Sequence, residues 1–109
     1  MPQADLFFSA ELKLDSASLL AEIESTIAAH DSSAGECKGR AHPVETTHRR
    51  HALLQVALLE KPHRNPEFML ELRDKLSKTV SSKAPSPCIV SIELRFQTPF
   101  SSTVKLESE

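Results

Sequence analysis

Between Phe68 and Phe96 the spacing of apolar residues changes from four to two, and that change fixes most of what this chain can become. Phe68, Leu72, Leu76 and Val80 recur every fourth residue, which places them on one stripe of a helix. Val90, Ile92, Leu94 and Phe96 then alternate with Ser91, Glu93, Arg95 and Gln97, the period of a half-buried strand. Asn65-Pro66-Glu67 supplies a sharp helix start: a capping side chain, a proline at the first helical position and an acid in the first turn. The stretch from Ser81 to Pro87 ends the helix, because Pro85 and Pro87 cannot continue it. Upstream, His51 to Glu60 is apolar on both faces except at Gln55, so it reads as a strand covered on both sides. The second half of the chain is therefore a strand–helix–strand unit.

The first half repeats that order. From Gln3 to Leu12 the residues Ala4, Leu6, Phe8, Ala10 and Leu12 alternate with Gln3, Asp5, Phe7, Ser9 and Glu11, with Phe7 the one apolar residue on the polar side. Asp15 or Ser16 can cap a helix running to about Ala29, with Leu19, Leu20, Ile23 and Ile27 as its stripe. Asp31-Ser32-Ser33-Ala34-Gly35 is a loop by composition. Glu36 to Thr47 carries the weakest pattern, and Pro43 permits an edge strand at most, since proline cannot donate to a ladder.

The expected order is β-α-β-β-α-β. Each crossover should be right-handed and place its two strands parallel. This is an α+β two-layer sandwich: a four-stranded mixed sheet with both helices on one face and the other face free for a partner, which favours an oligomer. The expected organisation is a single domain over residues 1–97, followed by a polar tail over 98–109.

The composition narrows the function. A formal net charge of −2 gives no electrostatic reason to expect a nucleic-acid partner. No apolar run approaches a membrane span, and the start lacks a basic region followed by an apolar stretch, so a soluble cytoplasmic protein is expected. Cys37 and Cys88 stand apart without metal-site spacing and read as free thiols, with a single disulfide as the alternative. With glycine only at positions 35 and 39, a glycine-rich phosphate loop is ruled out. His42, His48 and His51 lie close in sequence, but Arg49 and Arg50 oppose a cation there, so no metal is expected. No Ser, Cys or Thr sits in a nucleophile-elbow context.

Two features carry chemistry. Pro2 follows Met1 directly, and removal of Met1 would turn the Pro2 nitrogen into a secondary amine. An α-amino group starts from a pKa of about 7.7–8.0, and partial burial lowers it, which suits proton transfer near neutral pH. Arg40, beside the second strand, and Arg64, just ahead of the second helix, can clamp a carboxylate with paired hydrogen bonds. The bland alternative for these arginines is a solvated loop surface.

Taken in order, Met1-Pro2 heading a strand, Cys37-Lys38-Gly39-Arg40-Ala41-His42, the run from Leu54 to Leu76 with His63-Arg64-Asn65-Pro66-Glu67, and the closing strand from Ile89 resemble the tautomerase superfamily, and within it the 5-carboxymethyl-2-hydroxymuconate isomerases. The resemblance spans roughly residues 2 to 97. It implies a homotrimer of tautomerase fold and a cofactor-independent isomerase, of a kind associated with aromatic degradation. It implies Pro2 as the general acid–base on a small unsaturated keto or hydroxy (di)carboxylic acid. It also implies Arg40 as a catalytic arginine, with Arg64 and Lys38 holding the substrate carboxylate. Two other readings remain open from the sequence: a non-catalytic trimer of the same fold, and a ferredoxin-like ligand-binding module with the same element order.

Overall fold

A computed structural model describes residues 1–107. Strand β1 spans Gln3–Ser9, helix α1 Ser16–His30, β2 Lys38–Val44, β3 His51–Leu58, α2 Pro66–Ser81 and β4 Ile89–Phe96. The sheet order is β2-β1-β3-β4, with β1 parallel to β2, β3 parallel to β4, and the two halves joined antiparallel through β1 and β3. This is the expected β-α-β-β-α-β order over a mixed four-stranded sheet.

The helices form where the sequence supplies their ends. The Asp15 carboxylate accepts from the Ser18 amide at 3.2 Å and opens α1; the Asn65 side chain accepts from the Phe68 amide at 2.9 Å and opens α2, with Pro66 in its first turn. Leu19, Ile23 and Ile27 of α1 and Leu72, Leu76 and Val80 of α2 meet Ala4, Leu6, Phe8, Leu54, Val56 and Leu58 of the sheet in one core. Each fully buried aliphatic side chain there contributes on the order of 1.5–3 kcal/mol. Phe68 departs from the expected stripe: it is half-buried and packs against the His30 and His63 rings, at centroid distances of 4.3 and 5.3 Å.

Two boundaries differ from the sequence expectation. β1 ends at Ser9, and Ala10–Leu12 form a single 3₁₀ turn closed by Lys13 at φ 53°. Leu12 is still buried, because a tight turn also returns a side chain to the core four residues after Phe8. The weakly patterned segment becomes the edge strand β2, and Pro43 sits on it opposite Phe8. Gly39 faces α1 so closely that a Cβ there would lie 3.0 Å from Leu20.

The sheet face away from the helices is built in rows fixed by the register. Lys38, Gln3, Ala57 and Arg95 share one row; Arg40, Asp5, Gln55 and Glu93 the next; His42, Phe7, Leu53 and Ser91 the third. Phe7, the apolar residue on the polar side, stacks on His42 at 4.4 Å. Among the described residues, no helix is long and apolar enough to cross a membrane.

Candidate active site

The start of β1, the loop before β2, the loop between β3 and α2, and the end of β4 converge at one end of the sheet. Pro2 is fully buried there, beneath a half-exposed Met1. The Pro2 carbonyl accepts from the Lys38 amide at 3.0 Å, so the residue is pinned where β1 meets β2. Gln97, just past β4, donates to the Met1 carbonyl at 3.3 Å. Lys38 Nζ approaches Met1 Sδ at 3.0 Å. Gly35 turns the loop below with φ 74°, and a Cβ there would sit 3.7 Å from the Met1 side chain.

This end of the molecule carries a positive field. The N-terminal amine is lowered from its ordinary value, first by burial and then by the charges of Lys38, Lys61 and Arg64. Lys61 reaches across to the Ser33 carbonyl at 3.1 Å. The Cys37 thiol nearby is pushed up to about 11, by burial and then by Glu24, so it stays protonated at neutral pH. Cys37 and Cys88 are both free.

Arg64 sits under this region rather than at its surface. Its Nε and Nη2 each lie 2.7 Å from Asp31 Oδ2, and Nη1 donates to the Leu59 carbonyl at 2.7 Å. The Asp31 side chain also accepts from Ser33 Oγ at 2.6 Å and meets His63 Nε2 at 3.3 Å. Burial opposes ionisation of Asp31, but the Ser33 hydroxyl, Arg64, the Ser33 amide and His63 outweigh it and hold the carboxyl well below the usual range. Arg64 therefore adds charge to the site while its own donors are occupied.

Arg40 stands on the open sheet face, one row from Lys38. Its Nε and Nη2 grip the two Asp5 oxygens at 2.8 and 3.0 Å, and Nη1 donates to Gln3 at 2.9 Å. His42 adds a third contact to Asp5 at 2.8 Å. The fork that sequence reasoning offered to a substrate carboxylate is filled by a carboxylate of the chain itself.

The structure thus brings Pro2 and Lys38 together, sets Arg64 beneath them and leaves Arg40 on the adjoining sheet face. Lys61, Asp31 and Gln97 were not singled out in the sequence. Lys61 and Asp31 lie in loops without a motif, and only the chain's path over the sheet end brings them together. His51 Nδ1 lies 2.9 Å from the Arg49 carbonyl, and no group of three His, Cys, Asp or Glu among the described residues could hold a metal ion.

No family model matches the sequence, and no curated protein does. Solved structures do. A 5-carboxymethyl-2-hydroxymuconate isomerase from Deinococcus radiodurans R1 superposes with a TM-score of 0.71 at 15% identity, over 97% of this chain and 90% of that one. A fused 4-OT described as a symmetric trimer gives 0.75 at 16% identity, over 94% and 93% of the two chains. The FG41 malonate semialdehyde decarboxylase gives 0.63 at 7% identity, over 97% and 91%. These are tautomerase-superfamily structures, and the chain has their fold.

Proposed function

We propose that the chain is a cofactor-independent tautomerase that moves a proton on a small unsaturated keto or hydroxy (di)carboxylic acid, with Pro2 as the acid–base once Met1 is removed. The observation that carries this reading is the placement of Pro2: buried at the head of β1, one residue from an amine that burial, Lys38, Lys61 and Arg64 all lower. A secondary amine in that field is neutral at a lower pH than usual and can accept a proton. It would take the proton from one carbon of the substrate and return it to another, so no external oxidant or reductant is needed. The intermediate is an enolate, and fixed positive charge stabilises the negative charge that develops on its oxygen.

Lys38 and Lys61 are the cations assigned to the substrate carboxylate and to that oxygen. Arg64 strengthens the field from below. Arg40 meets a second carboxylate only by exchanging Asp5 for the substrate, so its part is confined to dicarboxylates. The assembly proposed is a homotrimer, as in the fused 4-OT described as a symmetric trimer. Two free cysteines suit a cytoplasmic setting.

A second reading draws on Met1. With Lys38 at its sulfur and Gln97 on its carbonyl, a retained Met1 is packed over Pro2, and the chain is then a non-catalytic member of the fold. Intact mass of the purified protein decides which form exists. The Met1-free protein should ketonise an enolpyruvate-type acid. A form with one residue inserted between Met1 and Pro2 should not. Equal rates for the two forms would remove Pro2 from the chemistry.

A further inference from the structure

The Gln97 side chain has one hydrogen-bond partner among the described residues, and Met1 supplies it. Gln97 Nε2 donates to the Met1 carbonyl at 3.3 Å. The rest of the residue is fixed by the sheet. Phe96 pairs with Leu58 across β3 and β4, and the Gln97 amide donates to the Leu58 carbonyl at 2.7 Å. Gln97 is half-buried, at the same end of the sheet as the fully buried Pro2. Removal of Met1 therefore strips the acceptor from a donor whose backbone stays in place, and a half-buried donor without an acceptor is costly.

The vacated acceptor position lies beside the nitrogen that removal frees. The Met1 carbonyl carbon is bonded to the Pro2 nitrogen, so its oxygen lies about 2.2 Å from that nitrogen. Gln97 Nε2 is then no more than about 5.5 Å from the nitrogen. A carbon that gives its proton to the nitrogen approaches it to about 3–3.5 Å. A carbonyl oxygen on the next carbon lies about 2.4 Å further on, by standard bond lengths. One carbon–oxygen unit thus fits between the two groups. At its other end Met1 meets a cation, with Lys38 Nζ 3.0 Å from Sδ. A ligand replacing Met1 meets a neutral donor at one end and an ammonium at the other, which suits an oxo acid.

We propose that Gln97 donates a hydrogen bond to the keto or enol oxygen of the substrate, which makes it a catalytic residue of the reaction proposed above. The inference rests on that role for Pro2 and adds the donor at the oxygen. A C–H bond of the substrate breaks as an N–H bond forms on Pro2, and its electron pair forms the C=C bond while the carbonyl becomes an enolate oxygen. Gln97 carries no titratable proton, so it stabilises that oxygen without protonating it, and the proton on Pro2 is returned to the second carbon. Lys38 is then left for the carboxylate.

The test uses the full chain with Met1 removed, checked by intact mass. Oxalate serves as a stable mimic of an enolate oxygen beside a carboxylate, and acetate as a carboxylate without the second oxygen. In the unsubstituted protein, oxalate should move the Gln97 side-chain amide resonances and acetate should not. Gln97→Leu should weaken oxalate at least tenfold and leave acetate unchanged, whereas Lys38→Ala should weaken both. On an enolpyruvate-type acid, Gln97→Leu should lower kcat about a hundredfold, the size of one lost oxyanion donor, with KM and the urea midpoint unchanged. No oxalate binding, equal losses of oxalate and acetate in Gln97→Leu, or a wild-type kcat in that variant overturns the Gln97 assignment alone. Oxalate held through Gln97 by a protein that turns over no enol acid supports Gln97 as the oxygen donor and overturns the tautomerase reaction.

Discussion

The Arg64 guanidinium and the Asp31 carboxylate meet at 2.7 Å with only 2% and 4% of their side chains exposed. That pair ties the loop after α1 to the loop before α2, the two segments that also bring Ser33 and Lys61 to the N-terminal end of the sheet. Its role is to hold the site's floor in place. Removing one partner leaves a buried charge without compensation, which costs about 3–5 kcal/mol, whereas replacing both with apolar residues is often close to neutral. Arg64→Met should therefore lower stability strongly in urea unfolding, and Arg64→Met with Asp31→Leu should recover most of the loss.

The Asp5 carboxyl is lowered from 3.8 to about 2, first by its bond to Arg40, against burial, and with a further contribution from His42. A depressed folded-state value means that stability is fully present above 3.8 and is lost as pH falls towards and through the lowered value. Denaturation midpoints should fall over that acid window. Asp5→Asn should start lower at neutral pH and show a smaller fall, with the remaining loss, which Asp31 contributes, beginning in the same window and continuing to lower pH. An unchanged acid profile in Asp5→Asn would show that the Arg40–Asp5 grip is not kept in solution.

Lys38 and Lys61 both lower the N-terminal amine. Lys38→Ala and Lys61→Ala should each raise its pKa, read from the pH dependence of labelling by an amine-selective electrophile. In the proposed tautomerase reaction the same changes should raise KM for a monocarboxylate about tenfold or more, the worth of a hydrogen bond to a charged group. Arg40→Ala should leave that KM near its wild-type value. A loss with Arg40→Ala equal to that with Lys38→Ala would return Arg40 to the carboxylate site.

The Asn65 side chain closes the first turn of α2 through the Phe68 amide. Asn65→Ala should cost about 1 kcal/mol, read as a lower midpoint in thermal or urea unfolding followed by circular dichroism. Asn65→Asp should retain most of the cap.

The legible parts of the fold are those whose burial follows a short period. α2 and β4 could be read residue by residue because Leu72, Leu76 and Val80 recur with the helix turn, and Val90, Ile92 and Leu94 with the pleat. β2 was harder, because Lys38-Gly39-Arg40-Ala41-His42-Pro43-Val44 has no apolar alternation and gains its strand geometry from pairing along β1. The end of β1 was blurred for another reason: a 3₁₀ turn and a strand both return Leu12 to the core.

The sequence by itself determined the element order, the two helix starts and the position of Pro2 at the head of a strand, because each depends on neighbours within a few residues. Only the tertiary structure decided what each cation can do. Arg40 and Arg64 look equally free in the sequence, yet the sheet register sets Asp5 opposite Arg40, and the packing of two loops closes Asp31 on Arg64. Charge pairing acts through space over a few ångströms, while the residues it joins are 35 and 33 positions apart along the chain. For the same reason Lys61, which no motif marks, lies within the field of the N-terminal amine.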